Sequence, residues 1–442
     1  MGEGKTFNRW LVVLGALLIQ VSLGAIYIYS VFKPGLKDNF PSWSDTDLAL
    51  PSQLVLAFFA LGVILFGRIQ DKVGPRPIAS LGGVLLGIGL VIASFAPSLM
   101  VFVLGFSIIG GIGIGAAYVC PIATCVKWFP DKRGLITGLA VAGFGAGALF
   151  FTPIAKGFIA SVGMMSTFLY LGIIFLVAVL IGAQLMVNPP AGYKPAGWNP
   201  PAAAAGAKGL KADYTWQEML KTPQFYFLWL AYFAGCTAGL MVIMNVTNVY
   251  QSCSLQDLVR SMSPVSKGAF DDCISRAATA VMIVAILNAL GRIAWGKVSD
   301  NIGRKPTLLI MFAYSGVIML LLNWFTSYPL FLFGVASVGF CFGGFLALFP
   351  AVTADYFGTK NVGANYGWMF AAYGAGGLFG PWLAPKLMVV LQKISYESVD
   401  KAGAVVLKTF SAGNFLMAFA ISGIMCLVAA GLILIVKPPS GK

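Results

Sequence analysis

Twelve apolar runs, each long enough to be a helix crossing a bilayer, recur along this chain: about 10–32, 48–67, 78–96, 100–126, 135–155, 165–187, 223–250, 277–296, 306–325, 329–355, 363–391 and 413–436. A helix needs about 20 residues to cross roughly 30 Å of hydrocarbon. In that medium each backbone amide and carbonyl must find its partner within the protein, so continuous apolar runs of this length imply helices. The expected fold class is therefore an all-α membrane protein with twelve transmembrane helices. A mean hydropathy of +0.87, with 59% hydrophobic and 10% charged residues, excludes an ordinary soluble domain. The first run is too long for a removable signal peptide and lacks a small-residue cleavage pattern, so it is read as the first span.

The runs fall into two similar halves. From Gly67 to Pro77 the chain reads GRIQDKVGPRP, and 229 residues later, from Gly296 to Pro306, it reads GKVSDNIGRKP. The same offset pairs Asp71 with Asp300, Gly74 with Gly303, Pro121 with Pro350 and Gly138 with Gly367. The expected organisation is an N-terminal six-helix half, 1–187, a linker, 188–222, and a C-terminal six-helix half, 223–442. The linker is rich in Pro, Ala and Gly. Its last part, Asp213 to Thr222, is expected to form a short surface helix with Trp216 and Leu220 turned inward. Many carriers place their substrate between such repeats, which rock against each other.

Within the duplicated loops, Gly67 and Gly296 permit close helix approach, and Asp71 and Asp300 can accept charge-assisted bonds or cap a helix. Together with Arg76 and Arg304 they are expected to form a conformational latch between the halves. The Gly-x-Gly strings from Gly138 to Gly147 and from Gly363 to Gly376 lie inside apolar spans, so they are helix contacts rather than phosphate loops.

Lys and Arg set the expected orientation. With both termini in the cytoplasm, eighteen of the 29 basic residues fall on that side. The net charge of +14 is dispersed over short loops, which argues against nucleic-acid binding. Of seven cysteines, five lie inside spans and read as packing residues. Cys253 and Cys273 bracket the longest outer loop. They could close a disulfide in an oxidising exterior or remain two thiols.

Where the two halves differ, the difference points to a site. Arg292 stands at the place that Val63 holds in the first half, so the scaffold itself does not call for a cation there. Eight residues separate Arg292 from Asp300, or about 12 Å of helix, which puts the guanidinium near mid-membrane. A charge at that depth costs about 2.5–3.5 kcal/mol on insertion scales and faces a cavity or a partner. No Asp or Glu lies near the centre of any span, so a substrate anion is the expected counter-ion; the alternative is that Arg292 snorkels or caps carbonyls. Asn288, one turn earlier, can bond the guanidinium or the substrate, or serve as a packing amide. Tyr118 and Tyr373 each lie about 15 Å from a cytoplasmic helix end. They and Tyr27 can present phenols to the cavity or simply pack.

Two six-helix halves carrying Gly-x-x-x-Asp-x-x-Gly loops with a basic ending resemble the major facilitator superfamily; the first copy departs by one residue, Pro75. Within it, RWLVVLGALLIQVSLGAIYIYSVF, KWFPDKRGLITGLAVAGFGAG and NYGWMFAAYGAGGLFGP are similar to the oxalate/formate antiporter family and related bacterial monocarboxylate transporters. That resemblance implies that an arginine in span eight and a lysine in span eleven clamp oxalate. The arginine carries over to Arg292, while Tyr373 stands in place of the lysine, so a single fixed charge implies a monovalent acid. In mammalian-type monocarboxylate transporters an aspartate precedes the arginine by one turn; here it is Asn288. Their first-span lysine has no match either, since Lys33 lies just beyond the span.

The expected function is secondary active transport of a small monocarboxylate such as lactate, pyruvate, acetate or formate. With no histidine and no mid-membrane acid, a co-transported proton would travel on the substrate itself. Carboxylate exchange is the alternative, and a non-transporting carboxylate sensor is less favoured because the tails are short. An enzyme is not expected, because neither metal nor acid-base chemistry has ligands here. No cofactor, metal or nucleic-acid partner is implied. The expected partners are the carboxylate, protons and the lipid bilayer, for a monomer in the plasma membrane, the inner membrane if the cell is bacterial.

Overall fold

The computed structural model describes residues 7–190, 192–195, 197–198, 213–259, 264–399 and 405–439. Lys208 and Lys211 of the linker lie outside these residues. The first half comprises α1 (Arg9–Asn39), α2 (Asp45–Val73), α3 (Pro75–Ser94), α4 (Leu99–Trp128), α5 (Arg133–Val162) and α6 (Met164–Gln184). The second comprises α7 (Pro223–Val259), α8 (Lys267–Ile302), α9 (Arg304–Leu321), α10 (Tyr328–Phe357), α11 (Val362–Leu387) and α12 (Leu416–Ile435). Among the described residues, eleven helical segments are both long and apolar enough to cross a membrane. The remaining one, α11, has the length, at 26 residues, but carries Asn365, Tyr366 and Tyr373 among its glycines. Those polar residues are buried inside the bundle, so protein takes the place that lipid has around a more apolar span.

The duplicated loop ends α2 and α8 in the same way. Gly74 (φ 96°) and Gly303 (φ 93°) cap the two helices in a backbone conformation that other residues rarely adopt. The chain then turns directly into α3, whose first residue is Pro75, and into α9. Arg76 donates to the Gln184 carbonyl (2.9 Å) at the end of α6, and Lys305 donates to the Leu434 carbonyl (2.6 Å) at the end of α12. These equivalent basic residues tie each hairpin of helices to the last helix of its own half.

The halves meet at two equivalent crossings, α2 with α11 and α5 with α8. A Cβ on Gly138 would strike the Arg292 carbonyl, and one on Gly367 would strike the Val63 carbonyl at 2.8 Å. Likewise Gly134 lies against the Gly296 carbonyl and Gly363 against that of Gly67. Small residues thus bring the backbones into contact along both joints.

Three features depart from the sequence expectation. An antiparallel hairpin, β1 (Val389–Val399) with β2 (Val405–Asn414), joins α11 to α12, so the bundle is helical in its spans but not throughout. Val265, just before α8, bonds beside it: its amide donates to Ser395 and its carbonyl accepts from Glu397, both at 3.0 Å. Second, α7 and α8 run well past their apolar runs, and both Cys253 and Cys273 sit on helices. No disulfide joins them in this structure, which accords with the second of the two readings. Cys273 is buried on the face of α8 that also buries Ala277 and Ala280. Third, the helix at the end of the linker is a single turn, Trp216–Met219, closed by a capping box between Thr215 and Glu218. Tyr214 and Met219 are its buried anchors; Leu220 is half-buried, and Trp216 stacks on Trp368 with centroids 5.6 Å apart.

Candidate functional site: a buried arginine between the halves

On α8, Asn288 and Arg292 are one helical turn apart, and the turn aims both side chains into the α5–α8–α10 contact. Arg292 is 1% exposed. Its Nε (3.1 Å) and Nη2 (2.8 Å) both donate to Asn288 Oδ1, and its Nη1 donates to the Val141 carbonyl of α5 (2.5 Å). The Asn288 amide donates in turn to the Gly339 carbonyl of α10 (3.0 Å), which fixes the amide's orientation. Every acceptor is neutral, and among the described residues no carboxylate lies within salt-bridge distance of Arg292. The neutral bonds hold the guanidinium in place without cancelling its charge, so an anion would gain strongly from binding there.

Glycine makes room for the arginine. A Cβ on Gly145 would lie 3.0 Å from Arg292 Cζ, and one on Gly343 would lie 3.2 Å from Arg292 Cγ. The sequence reading placed Gly145 in a helix-contact string and did not connect it with Arg292. The available signal was the coincidence of a buried cation with the spacing Gly138, Val141, Gly145 on one face of α5.

The three tyrosines gather around Phe59 and Phe144. Tyr118 (α4) packs edge-on to Phe59 (4.9 Å) and Phe144 (5.3 Å). Tyr27 sits on a one-turn 3-10 break in α1, Gly24–Ile28, and its hydroxyl lies 3.1 Å from that of Tyr373 on α11. Tyr27 and Tyr373 therefore form a bond between the two halves, a role that spacing alone did not suggest. Tyr373 also stacks on Phe370 (4.7 Å).

The residues expected to form a latch separate into two groups. Asp300 accepts from the Gly134 (2.9 Å) and Leu135 (2.8 Å) amides at the start of α5 and pairs with Arg304 (2.7 Å). Arg304 Nε also reaches Asp355 (2.9 Å), which Arg133 of the other half engages at 2.5 Å. Asp71 accepts from the Ala364 amide of α11 (2.8 Å). Its basic partner is Lys127 (3.4 Å), whereas Arg76 is turned away to α6. The reason is the single departure in the first loop: the equivalent of Arg304 is Pro75, which has no cation to offer. Both crossings are closed at this end.

Two six-helix halves joined at glycine-faced crossings, tied at one end by hydrogen bonds and an ion pair and holding a buried cation, are the architecture of a membrane transporter. The Major Facilitator Superfamily model matches residues 9–266 and 273–442, and the chain belongs to that superfamily. It is 29% identical over 374 residues to the uncharacterised MFS-type transporter YhjX of Escherichia coli K12, covering 84% of this chain and 86% of the relative. It is 28% identical over 394 residues to the oxalate:formate antiporter of Oxalobacter formigenes, with 85% and 84% covered. Over 421 residues it is 26% identical to monocarboxylate transporter 2 of Rattus norvegicus, with 92% and 82% covered. Among solved structures, the proton:xylose symporter XylE bound to 6-bromo-6-deoxy-D-glucose superposes with a TM-score of 0.68 at 16% identity, covering 98% of this chain and 97% of that one. That likeness concerns the fold.

Proposed function

We propose that this protein is a secondary active carrier of small monocarboxylates of the lactate, pyruvate, acetate or formate type, working by alternating access, with Arg292 binding the carboxylate. The observation that carries the reading is the buried guanidinium held only by neutral acceptors. A carboxylate neutralises it, lowers the cost of a closed central cavity and lets the halves rock; an empty carrier would leave the charge uncompensated. The relatives named for oxalate, formate and monocarboxylates support the substrate class. Asn288 positions the guanidinium, and Tyr118, Tyr373 and Tyr27 line the substrate's surroundings. With one cation and a tyrosine at 373, the site favours a single negative charge.

The latched end is the cytoplasmic one in this reading, because it carries most of the Lys and Arg, and both termini lie there. The protein acts as a monomer in the plasma membrane, and coupling to protons occurs through the substrate, which crosses as the neutral acid. Exchange of one carboxylate for another is the second reading, favoured by the absence of a mid-membrane acid or histidine and by the antiporter relative.

The test is uptake of radiolabelled L-lactate into liposomes containing the purified protein, with and without an inward proton gradient, alongside Arg292→Ala. Gradient-driven accumulation lost in the variant is the expected result. Uptake only into vesicles preloaded with a carboxylate would replace symport by exchange. Uptake by the variant equal to that of the parent protein would sink the role of Arg292.

A further inference from the structure

The last stretch of the linker is anchored to one half and touches the other. The Tyr214 amide donates to the Phe357 carbonyl (2.9 Å), and the Tyr214 carbonyl accepts from the side-chain amides of Asn361 and Asn365, both at 3.0 Å. Asp213 accepts from the Lys360 amide (2.9 Å), and the buried Tyr214 ring packs edge-on to Phe357. All of these partners belong to the second half. The capping box between Thr215 and Glu218 then fixes the turn that presents Trp216. Its indole stacks on Trp368 of α11 with the planes 19° apart, and the Arg68 guanidinium of α2 lies over it, 5.9 Å from the ring centroid. Arg68 and Trp368 each follow a crossing glycine, Gly67 and Gly367, so Trp216 meets both helices where they cross.

The other crossing has no such contact. At the 229-residue offset Arg68 corresponds to Lys297 and Trp368 to Leu139. Leucine offers no ring to stack on, and among the described residues no aromatic ring lies under Lys297. The asymmetry matches that of the aspartate loops. The α5–α8 crossing is tied by Asp300, Arg304, Asp355 and Arg133, whereas at the α2–α11 crossing Pro75 stands at the place of Arg304 and Val126 at that of Asp355. The crossing with the weaker ties of its own is the one that the linker spans.

We propose that residues 213–219 are a clasp on the α2–α11 crossing: Tyr214 fixes it to the second half, Trp216 engages Arg68 of the first, and this grip makes up for the arginine that Pro75 replaces. The linker is then part of the closing machinery and not only a tether between halves. The clasp does not depend on which solute Arg292 binds, and it is tested without one.

The readout is the distance distribution between spin labels at Lys72 and Lys360, one on each side of this crossing, in the purified full chain without substrate. A Cys253→Ser background removes the half-buried native thiol. Trp216→Ala should raise the ratio of open to closed molecules by about twofold to fivefold, the weight of an exposed cation–π contact. Arg68→Gln should do the same from the other half, and the double variant should open no further than either single one, because both remove one contact. Trp216→Phe keeps a ring and should keep the parental ratio, as should Lys297→Gln at the crossing without a clasp. Pro75→Arg added to Trp216→Ala should bring the ratio back towards that of the parent, since it gives Asp71 the kind of partner that Asp300 has in Arg304. Parental distances in Trp216→Ala would overturn the clasp, and so would opening in the double variant equal to the product of the two single effects. A Pro75→Arg addition without effect would overturn the link between the clasp and the missing arginine.

Discussion

The α2–α11 and α5–α8 crossings are one joint built twice, and they differ in what they carry. In both, a glycine of one half lies against a backbone carbonyl of the other, Gly367 on Val63 and Gly138 on Arg292, in matching register. At the first crossing the facing residues of α2 are Phe59 and Val63, and Phe59 joins an aromatic cluster with Tyr118, Phe144 and Phe370. At the second, the equivalent residues of α8 are Asn288 and Arg292. The backbone of the joint is a mechanical device that tolerates either set of side chains. The buried charge belongs to one copy alone, so in the proposed reading an asymmetric ligand would meet aromatic side chains on one side and a charge on the other.

The most severe way to break this comparison is to exchange the two residues, Val63→Arg with Arg292→Val. Uptake should fall by at least about 100-fold, as a charged hydrogen-bonding group is lost from its partner. The relocated guanidinium should not rescue it, because Phe59 gives it no acceptor in place of Asn288. Recovery of transport in the exchanged protein would show that the joints are chemically equivalent. Next in size, Asn288→Leu removes the acceptor shared by Nε and Nη2 and leaves the Gly339 carbonyl without its donor. The loss of a hydrogen bond to a charged group, about 1.5–3 kcal/mol, predicts roughly a tenfold to hundredfold rise in the lactate concentration for half-maximal uptake. Unaltered concentration dependence would remove Asn288 from the site.

The smallest effect concerns the latch. Asp300 holds two amides of the other half and pairs with Arg304, whereas Asp71 holds one, that of Ala364, beside its own half's Gln70 (2.7 Å) and Lys127 (3.4 Å). Asp300→Asn should therefore open the latched end more than Asp71→Asn, with a difference of about 1 kcal/mol between them. Spin-label distances measured across that end in the two variants would show it. Equal shifts would mean that the two copies latch with equal strength despite Pro75.

How far this could be read beforehand depended on the range of each interaction. Gly74 and Gly303 were legible because a helix-ending conformation is a local demand on one residue. Arg292 was legible because a cation eight residues from the loop must sit deep, whatever surrounds it. Arg76 misled, since its partner Gln184 is 108 positions away and nothing nearby distinguishes that carbonyl from the adjacent Asp71. Tyr27 was read as a phenol that faces the cavity or packs, and nothing near it in the sequence points to Tyr373, 346 positions along the chain, whose hydroxyl it meets. The hairpin of β1 and β2 was hidden for a different reason: it falls almost wholly between the eleventh run, ending at about 391, and the twelfth, starting at about 413, and hydropathy does not announce a strand pairing there.

Hydrophobic run lengths, the repeat at 229 residues and a lone mid-span arginine were enough to determine a two-half helical carrier with one buried charge, because each is a local cost that only a membrane fold can meet. The tertiary structure decided which groups answer that charge. Asn288 and the Val141 carbonyl take the guanidinium, and Gly145 leaves it room. Hydrogen bonds act over about 3 Å in space, and separation along the chain does not specify which distant groups packing will bring that close.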